Sequence, residues 1–137
     1  MEAKVVWKGG MSFAGSSESG FIVPLGTSPS VGGDDDGFRP LELIAVGLAG
    51  CTAMDVVSIL KKKRQEVSTF EVNVHAQQNE THPKVFTHLL IEYVIKGENL
   101  SREAVERAVE LSAEKYCPAQ AMLKQATPME LIITFLD

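Results

Sequence analysis

Residues 40–64 have the sequence PLELIAVGLAGCTAMDVVSILKKKR, and this stretch decides the fold. Proline is favoured in the first turn of a helix, and Glu42 lies near the positive end of the helix dipole. The basic residues 61–64 complement the negative end. Between residues 43 and 60 the only charged side chain is Asp55. The pattern therefore predicts a long central helix that is apolar around nearly its whole circumference and must be buried on most sides.

Burying such a helix on most sides is difficult for a single chain of 137 residues. Small side chains leave little bulk between neighbouring backbones, so a second helix could pack closely. The small residues that recur along this helix are Ala45, Gly47, Ala49, Gly50 and Ala53. The sequence therefore predicts a homodimer whose core contains this helix from each chain.

The sequence before the helix is rich in strand and turn signals. Within residues 3–23, short apolar runs are separated by glycine turns, which predict an antiparallel β-meander. Residues 25–40, LGTSPSVGGDDDGFRP, then predict a surface loop. Its three aspartates lack a later acid at EF-hand spacing, so a solvated loop is favoured over a Ca²⁺ site.

The sequence after the helix predicts a β-hairpin, two further helices and a C-terminal strand. The runs 71–76 and 85–95 alternate in β-branched residues and form the hairpin. Ser101 is expected to cap a helix that runs through Tyr116. The remaining expected features are a Glu103–Arg107 pair, a short helix at 117–125 and a strand at 131–136. This order predicts a single α+β domain spanning residues 1–137.

Composition excludes several classes of protein. Eighteen acidic residues against thirteen basic ones, with a net charge of −5, give no attraction to nucleic acid or anionic lipid. The longest nearly uncharged stretch, residues 43–54, is about 12 residues, against roughly 20 needed to span a bilayer. The N-terminal sequence MEAKVVWKGG lacks the apolar run of a signal peptide. We expect a cytoplasmic protein with neither a nucleic-acid nor a membrane partner.

The two cysteines, Cys51 and Cys117, are the main candidates for chemistry. In a reducing compartment a static disulfide is uncommon, so each thiol is buried filler, a metal ligand or a redox group. Cys117 is placed at a helix start, where backbone N–H groups favour a thiolate, whereas Cys51 is embedded in an apolar helix and needs a cation or donor to ionise. No CxxC motif occurs, and no histidine lies at metal-ligand spacing, so neither a metal nor a cofactor is predicted.

Two motifs resemble the OsmC/Ohr family of thiol-dependent hydroperoxide reductases. The first, RPLELIAVGLAGCTAMDVV at residues 39–57, is similar to the family's P-x-E-L helix that leads into a cysteine. The second, YCPAQAML at residues 116–123, is similar to its second cysteine in a CP motif. The resemblance implies an OsmC-like intertwined homodimer, with central helices between two sheets and active sites at the subunit interface. It also implies that Cys51 is the peroxidatic residue and Cys117 the resolving residue.

The implied activity is reduction of organic hydroperoxides or hydrogen peroxide through a Cys51 sulfenate that Cys117 resolves, with an external dithiol as reductant. Glu42 is the implied catalytic glutamate. In the best-known peroxidase branches that residue directly follows the motif proline, where this chain has Leu41. Those branches also take an arginine from the N-terminal strands, and residues 1–38 contain none. These departures fit a divergent OsmC-like branch, and the alternative is a dimeric small-ligand-binding protein with little or no peroxidase activity.

Overall fold

The structure is a computed structural model that describes residues 1–137, and it contains two three-stranded sheets and one long helix. The chain divides into two units, Met1–Ile44 and Ala45–Asp137. The α+β class and the predicted order of elements are confirmed.

The first unit contains the predicted β-meander. Strands β1 (Ala3–Gly9), β2 (Ser12–Ser17) and β3 (Ile22–Leu25) pair antiparallel in the order β1-β2-β3. The turn between β1 and β2 uses Gly9 and Gly10 at φ values of 107° and 54°, a region that favours glycine. Every residue of β1 is exposed in the single chain.

The predicted surface loop between β3 and the helix is held by its own groups. The amide of Gly26 donates to the carbonyl of Phe38 at 3.0 Å. Asp35 pairs with Arg39, and Asp36 accepts a hydrogen bond from Ser12 at 2.5 Å. Two of the three loop aspartates are therefore partners of neighbouring side chains in the same unit.

Helix α1 (Pro40–Lys62) begins and ends close to where the sequence predicts, and Arg64 follows it in the left-handed conformation at φ 56°. Its buried residues recur every fourth position, which is the spacing of one helix face: Leu48, Thr52, Val56 and Leu60. Burial on most sides is therefore not achieved within one chain, where Met54 is 76% exposed.

The length and composition of α1 would also allow it to cross a membrane. Its 23 residues include a window of mean hydropathy 2.1 that is 22% buried. The sequence expectation of an apolar stretch too short to span a bilayer is therefore wrong, because the single charge of Asp55 does not interrupt the apolar run of residues 43–60. The core helix of a soluble protein meets the same criteria of length and composition.

The second unit contains the predicted hairpin and the closing strand. Strands β4 (Glu66–Gln78) and β5 (Phe86–Glu98) pair antiparallel, and β6 (Met129–Phe135) pairs parallel with β5. The hairpin strands are longer than predicted, because ladder pairing continues past the apolar alternation into polar ends. Alternate residues in the middle of β5 are fully buried on one face, namely Leu89, Ile91, Tyr93 and Ile95, whereas Thr87 at the start of that face is exposed.

Helix α2 (Arg102–Leu111) begins as predicted, with the Ser101 hydroxyl accepting the amide of Ala104 at 3.2 Å. Its buried face packs in one hydrophobic core with β5 and the buried face of α1. The predicted Glu103–Arg107 pair is wrong. Arg107 pairs instead with Glu110 at 3.1 Å, because residues three apart are neighbours on a helix as well as residues four apart.

The helical segment runs through Tyr116 as predicted, but its last turn is not α-helical. Residues Ser112–Tyr116 form a π-helical turn, and Cys117 leaves the helical region at ψ 105°. Helix α3 (Pro118–Leu123) then begins at the proline, as predicted. The wider turn places Ser112 inside the core, where it is fully buried.

Candidate active site

The structure brings Cys51 and Cys117 together although they lie far apart in the sequence. Cys51 is half-buried near the middle of α1, whereas Cys117 is buried between the π-helical turn and α3. Both are free thiols, and they are near enough for Cys51 to raise the pKa of Cys117. Two adjacent thiols of unequal exposure therefore occupy one site in the second unit.

Cys117 caps helix α3 with its sulfur. Its Sγ accepts a hydrogen bond from the amide of Gln120 at 3.3 Å, where a serine or aspartate oxygen commonly serves. Its own amide donates to the carbonyl of Ser112 at 2.9 Å, which closes the π-helical turn. Pro118 has no amide to satisfy at the first helical position. The local sequence thus fixes both the backbone and the sulfur of Cys117.

Burial controls the ionisation of this second thiol. Loss of solvent raises the pKa of Cys117 to about 11, and the neighbouring Cys51 also raises it. Hydrogen bonds from the amides of Gln120 and Ala119 lower the pKa without offsetting burial. The amides at the helix start therefore favour the Cys117 thiolate as expected, but desolvation exceeds their effect.

A buried polar network lies beside the two thiols, and sequence reasoning missed it. The Thr52 hydroxyl lies 2.7 Å from both the Tyr93 hydroxyl and the Ser112 hydroxyl. The Gln120 side-chain amide donates to Thr52 at 3.0 Å and to Tyr93 at 3.2 Å. Ser112 donates to Asp55 at 2.8 Å. The network joins α1, β5, the π-helical turn and α3.

Every buried polar side-chain atom of the chain has a hydrogen-bond partner, so the network is fully satisfied. Burial raises the pKa of Tyr93, although its hydrogen bonds with Thr52 and Gln120 act in the opposite direction. One sequence signal could have pointed to the network. Thr52 follows Cys51 directly and is the only polar residue on the buried face of α1.

The third predicted site residue has a different environment. The Glu42 carboxylate accepts the backbone amide of Arg39 at 2.7 Å, which is a capping interaction at the start of α1. The Arg39 guanidinium donates to the carbonyl of Gly37 at 3.2 Å and pairs with Asp35. None of the hydrogen bonds of Glu42 is to a cysteine. Its catalytic role stays a prediction.

The histidines and acids do not gather into a metal site. His75 lies 3.7 Å from Glu92, and His88 lies 3.4 Å from Glu130, as separate pairs on the sheet of the second unit. No group of three or more His, Cys, Asp or Glu side chains has a geometry that could hold a metal ion. The absence of a metal or cofactor from the working protein stays a prediction.

The fold and the site define an α+β protein with two three-stranded sheets and a pair of adjacent, unbridged thiols. The family profile described as OsmC-like protein matches residues 33–132. The chain therefore belongs to the OsmC-like protein family, which confirms the resemblance found in its two cysteine motifs.

Individual relatives agree with this assignment. The chain is 40% identical to Protein YhfA of Escherichia coli K12 over 126 residues, which cover 92% of this chain and 91% of YhfA. A solved structure of a hypothetical protein from Aquifex aeolicus VF5 has a TM-score of 0.84 and 31% identity, covering 99% of this chain and 97% of that one. An organic hydroperoxide resistance protein OsmC from Legionella pneumophila shares the fold, with a TM-score of 0.70, 19% identity and coverage of 97% and 95%.

Proposed function

We propose that the protein is a thiol peroxidase that reduces organic hydroperoxides or hydrogen peroxide. The observation that carries the proposal is the proximity of two free thiols, Cys51 and Cys117, that the sequence separates widely. Family membership supports it, since the Legionella pneumophila relative is described as an organic hydroperoxide resistance protein and a predicted redox protein.

The unequal exposure of the two thiols supports a division of roles. Half-buried Cys51 is open to a substrate, and its thiolate attacks one peroxide oxygen, breaks the O–O bond and releases an alcohol or water. Buried Cys117 faces Cys51, and it condenses with the resulting sulfenic acid to a disulfide. An external dithiol then restores both thiols by exchange.

Two variants test the proposal. Cys51→Ser is expected to abolish consumption of cumene hydroperoxide, because no peroxidatic thiol remains. Cys117→Ser is expected to form the Cys51 sulfenic acid with one peroxide and then to oxidise it to sulfinic acid with a second, a product that intact mass spectrometry detects. Undiminished turnover by Cys51→Ser would overturn the proposal.

The proposed functional unit is a homodimer in the cytoplasm, without nucleic-acid or membrane partners. Exposed apolar residues on α1 support it, since Val46 is 56% and Met54 76% exposed in one chain. Sedimentation of protein purified without detergent is expected to give a dimer, and Met54→Glu is expected to weaken it. A stable wild-type monomer, or a requirement for detergent, would contradict the dimer.

A second candidate function is binding of a small apolar ligand without turnover. It is favoured by an open groove of about 500 Å³ in the first unit with an almost wholly apolar lining, which includes Val5, Met11, Phe13 and Leu25. Thiol titration before and after one equivalent of cumene hydroperoxide separates the two functions. Loss of two thiols per chain supports the peroxidase, and loss of none supports the binding protein.

A further inference from the structure

The side chain that buries α3 against the rest of the second unit is polar. Gln120 is the only fully buried residue of this six-residue helix. Its side-chain amide reaches across to α1 and donates to Thr52, the residue directly after Cys51. Its backbone amide donates to the sulfur of Cys117. One residue therefore contacts the second thiol and the neighbour of the first.

Hydrogen bonds of this kind fix a position more narrowly than apolar contact does. Thr52 and Tyr93 offer two hydroxyl oxygens to the Gln120 amide, at 3.0 Å and 3.2 Å. A shift of α3 along α1 would break both bonds inside a buried site, where unpaired polar groups are costly. Positions of α3 that are shifted along α1, and that would move Cys117 relative to Cys51, are therefore disfavoured.

We propose that Gln120 is a positioning residue that holds the Cys117 sulfur against Cys51 for disulfide formation. The inference rests on the proposed function in one respect only, namely the source of the oxidised Cys51. In that step the Cys117 sulfur bonds to the Cys51 sulfur, the S–O bond of the sulfenic acid breaks, and the hydroxyl group leaves with the Cys117 proton as water. The Cys117 sulfur is oxidised and the Cys51 sulfur is reduced, so no further reagent is needed.

The substitution Gln120→Met tests the role of the side chain. It keeps the length and the backbone amide but removes the donor to α1, and Thr52 retains its bonds to Tyr93 and Ser112. Gln125→Met is the matched control, because Gln125 is exposed and its side chain donates only to the carbonyl of Ala121, at 3.2 Å. Thr52→Val removes the hydroxyl that accepts the hydrogen bond from Gln120. It is the second test variant if Gln120→Met does not fold.

The decisive readout is the equilibrium between the thiol pair and its disulfide in glutathione buffers, which requires no peroxide. Loss of positioning is expected to lower the effective concentration of the two thiols by roughly tenfold, equivalent to about 30 mV in the potential of the pair. The thiol pair of Gln125→Met is expected to have the same potential as that of the wild type. Circular dichroism and urea unfolding confirm that each variant is folded before the comparison.

The outcomes separate this inference from the proposed function. A wild-type pair that forms its disulfide in glutathione but not with peroxide would refute the peroxidase and leave the positioning role supported, provided Gln120→Met shifts the potential. An effective concentration of the two thiols within twofold of wild type in both folded variants, Gln120→Met and Thr52→Val, would overturn the inference. Failure of the wild-type pair to form any intrachain disulfide would overturn it as well.

Discussion

The raised pKa of Cys117 predicts that disulfide formation depends steeply on pH. Thiolates are the attacking species in such steps. With a pKa of about 11, about one Cys117 in 10⁴ is ionised at pH 7 and about one in 10² at pH 9. Burial is the largest cause of this shift. Disulfide formation should therefore accelerate about 100-fold between pH 7 and pH 9.

The assay begins with one equivalent of peroxide at low pH, which forms the Cys51 sulfenic acid, followed by a rapid rise in pH. Quenching with a sulfenic-acid trap and an alkylating reagent, then intact mass spectrometry, gives the rate of disulfide formation. Cys117→Ser is the control and should keep the sulfenic acid at every pH, because the single equivalent of peroxide leaves no oxidant for a further step. A rate that is flat between pH 7 and pH 9 would refute the argument that desolvation of Cys117 limits this step.

Three further predictions concern stability, each measured as the free energy of unfolding in urea. Tyr93→Phe removes two buried hydrogen bonds and should lower it by about 1–3 kcal/mol, and an unchanged value would mean that the network contributes nothing. The neutral Cys117 thiol is favoured by the folded state, because its pKa rises from 9.0 to about 11 on burial. Its contribution to the free energy of unfolding is fully present below about pH 9 and is lost as the pH rises through about 11, so this free energy should fall by about 3 kcal/mol over that range. Cys117→Ala should remove this part of the decline, and an identical decline in the variant would count against it. Leu60→Ala should cost about 2–5 kcal/mol because Leu60 is fully buried, whereas volume-conserving Leu60→Met should cost less than about 1.5 kcal/mol, and equal costs would contradict the packing.

Periodic patterns made most of the fold predictable. The apolar run of α1, with proline at its start and lysines at its end, marks a helix by local rules alone. Alternation along the predicted hairpin strand places Leu89 and Tyr93 on one face, and both are fully buried in β5. The π-helical turn Ser112–Tyr116 was not predictable, because the helical pattern of α2 continues through it and no local signal marks an extra residue per turn.

The candidate site was predictable only in part. Its two cysteines came from a resemblance between motifs, since nothing in the sequence spacing of Cys51 and Cys117 places them in contact. The network around Thr52 escaped prediction because its members come from four different elements and meet only through tertiary packing. An isolated threonine in an apolar helix carries no signal of its partners.

The most direct test of the pairing of Cys51 with Cys117 is peptide mapping after one equivalent of cumene hydroperoxide. The protein is treated, its remaining thiols are alkylated, and the digest is analysed without reduction. The proposed mechanism predicts one disulfide-linked species that joins the Cys51 peptide to the Cys117 peptide of the same chain. Recovery of both cysteines as alkylated thiols, with the peroxide unconsumed, would contradict it.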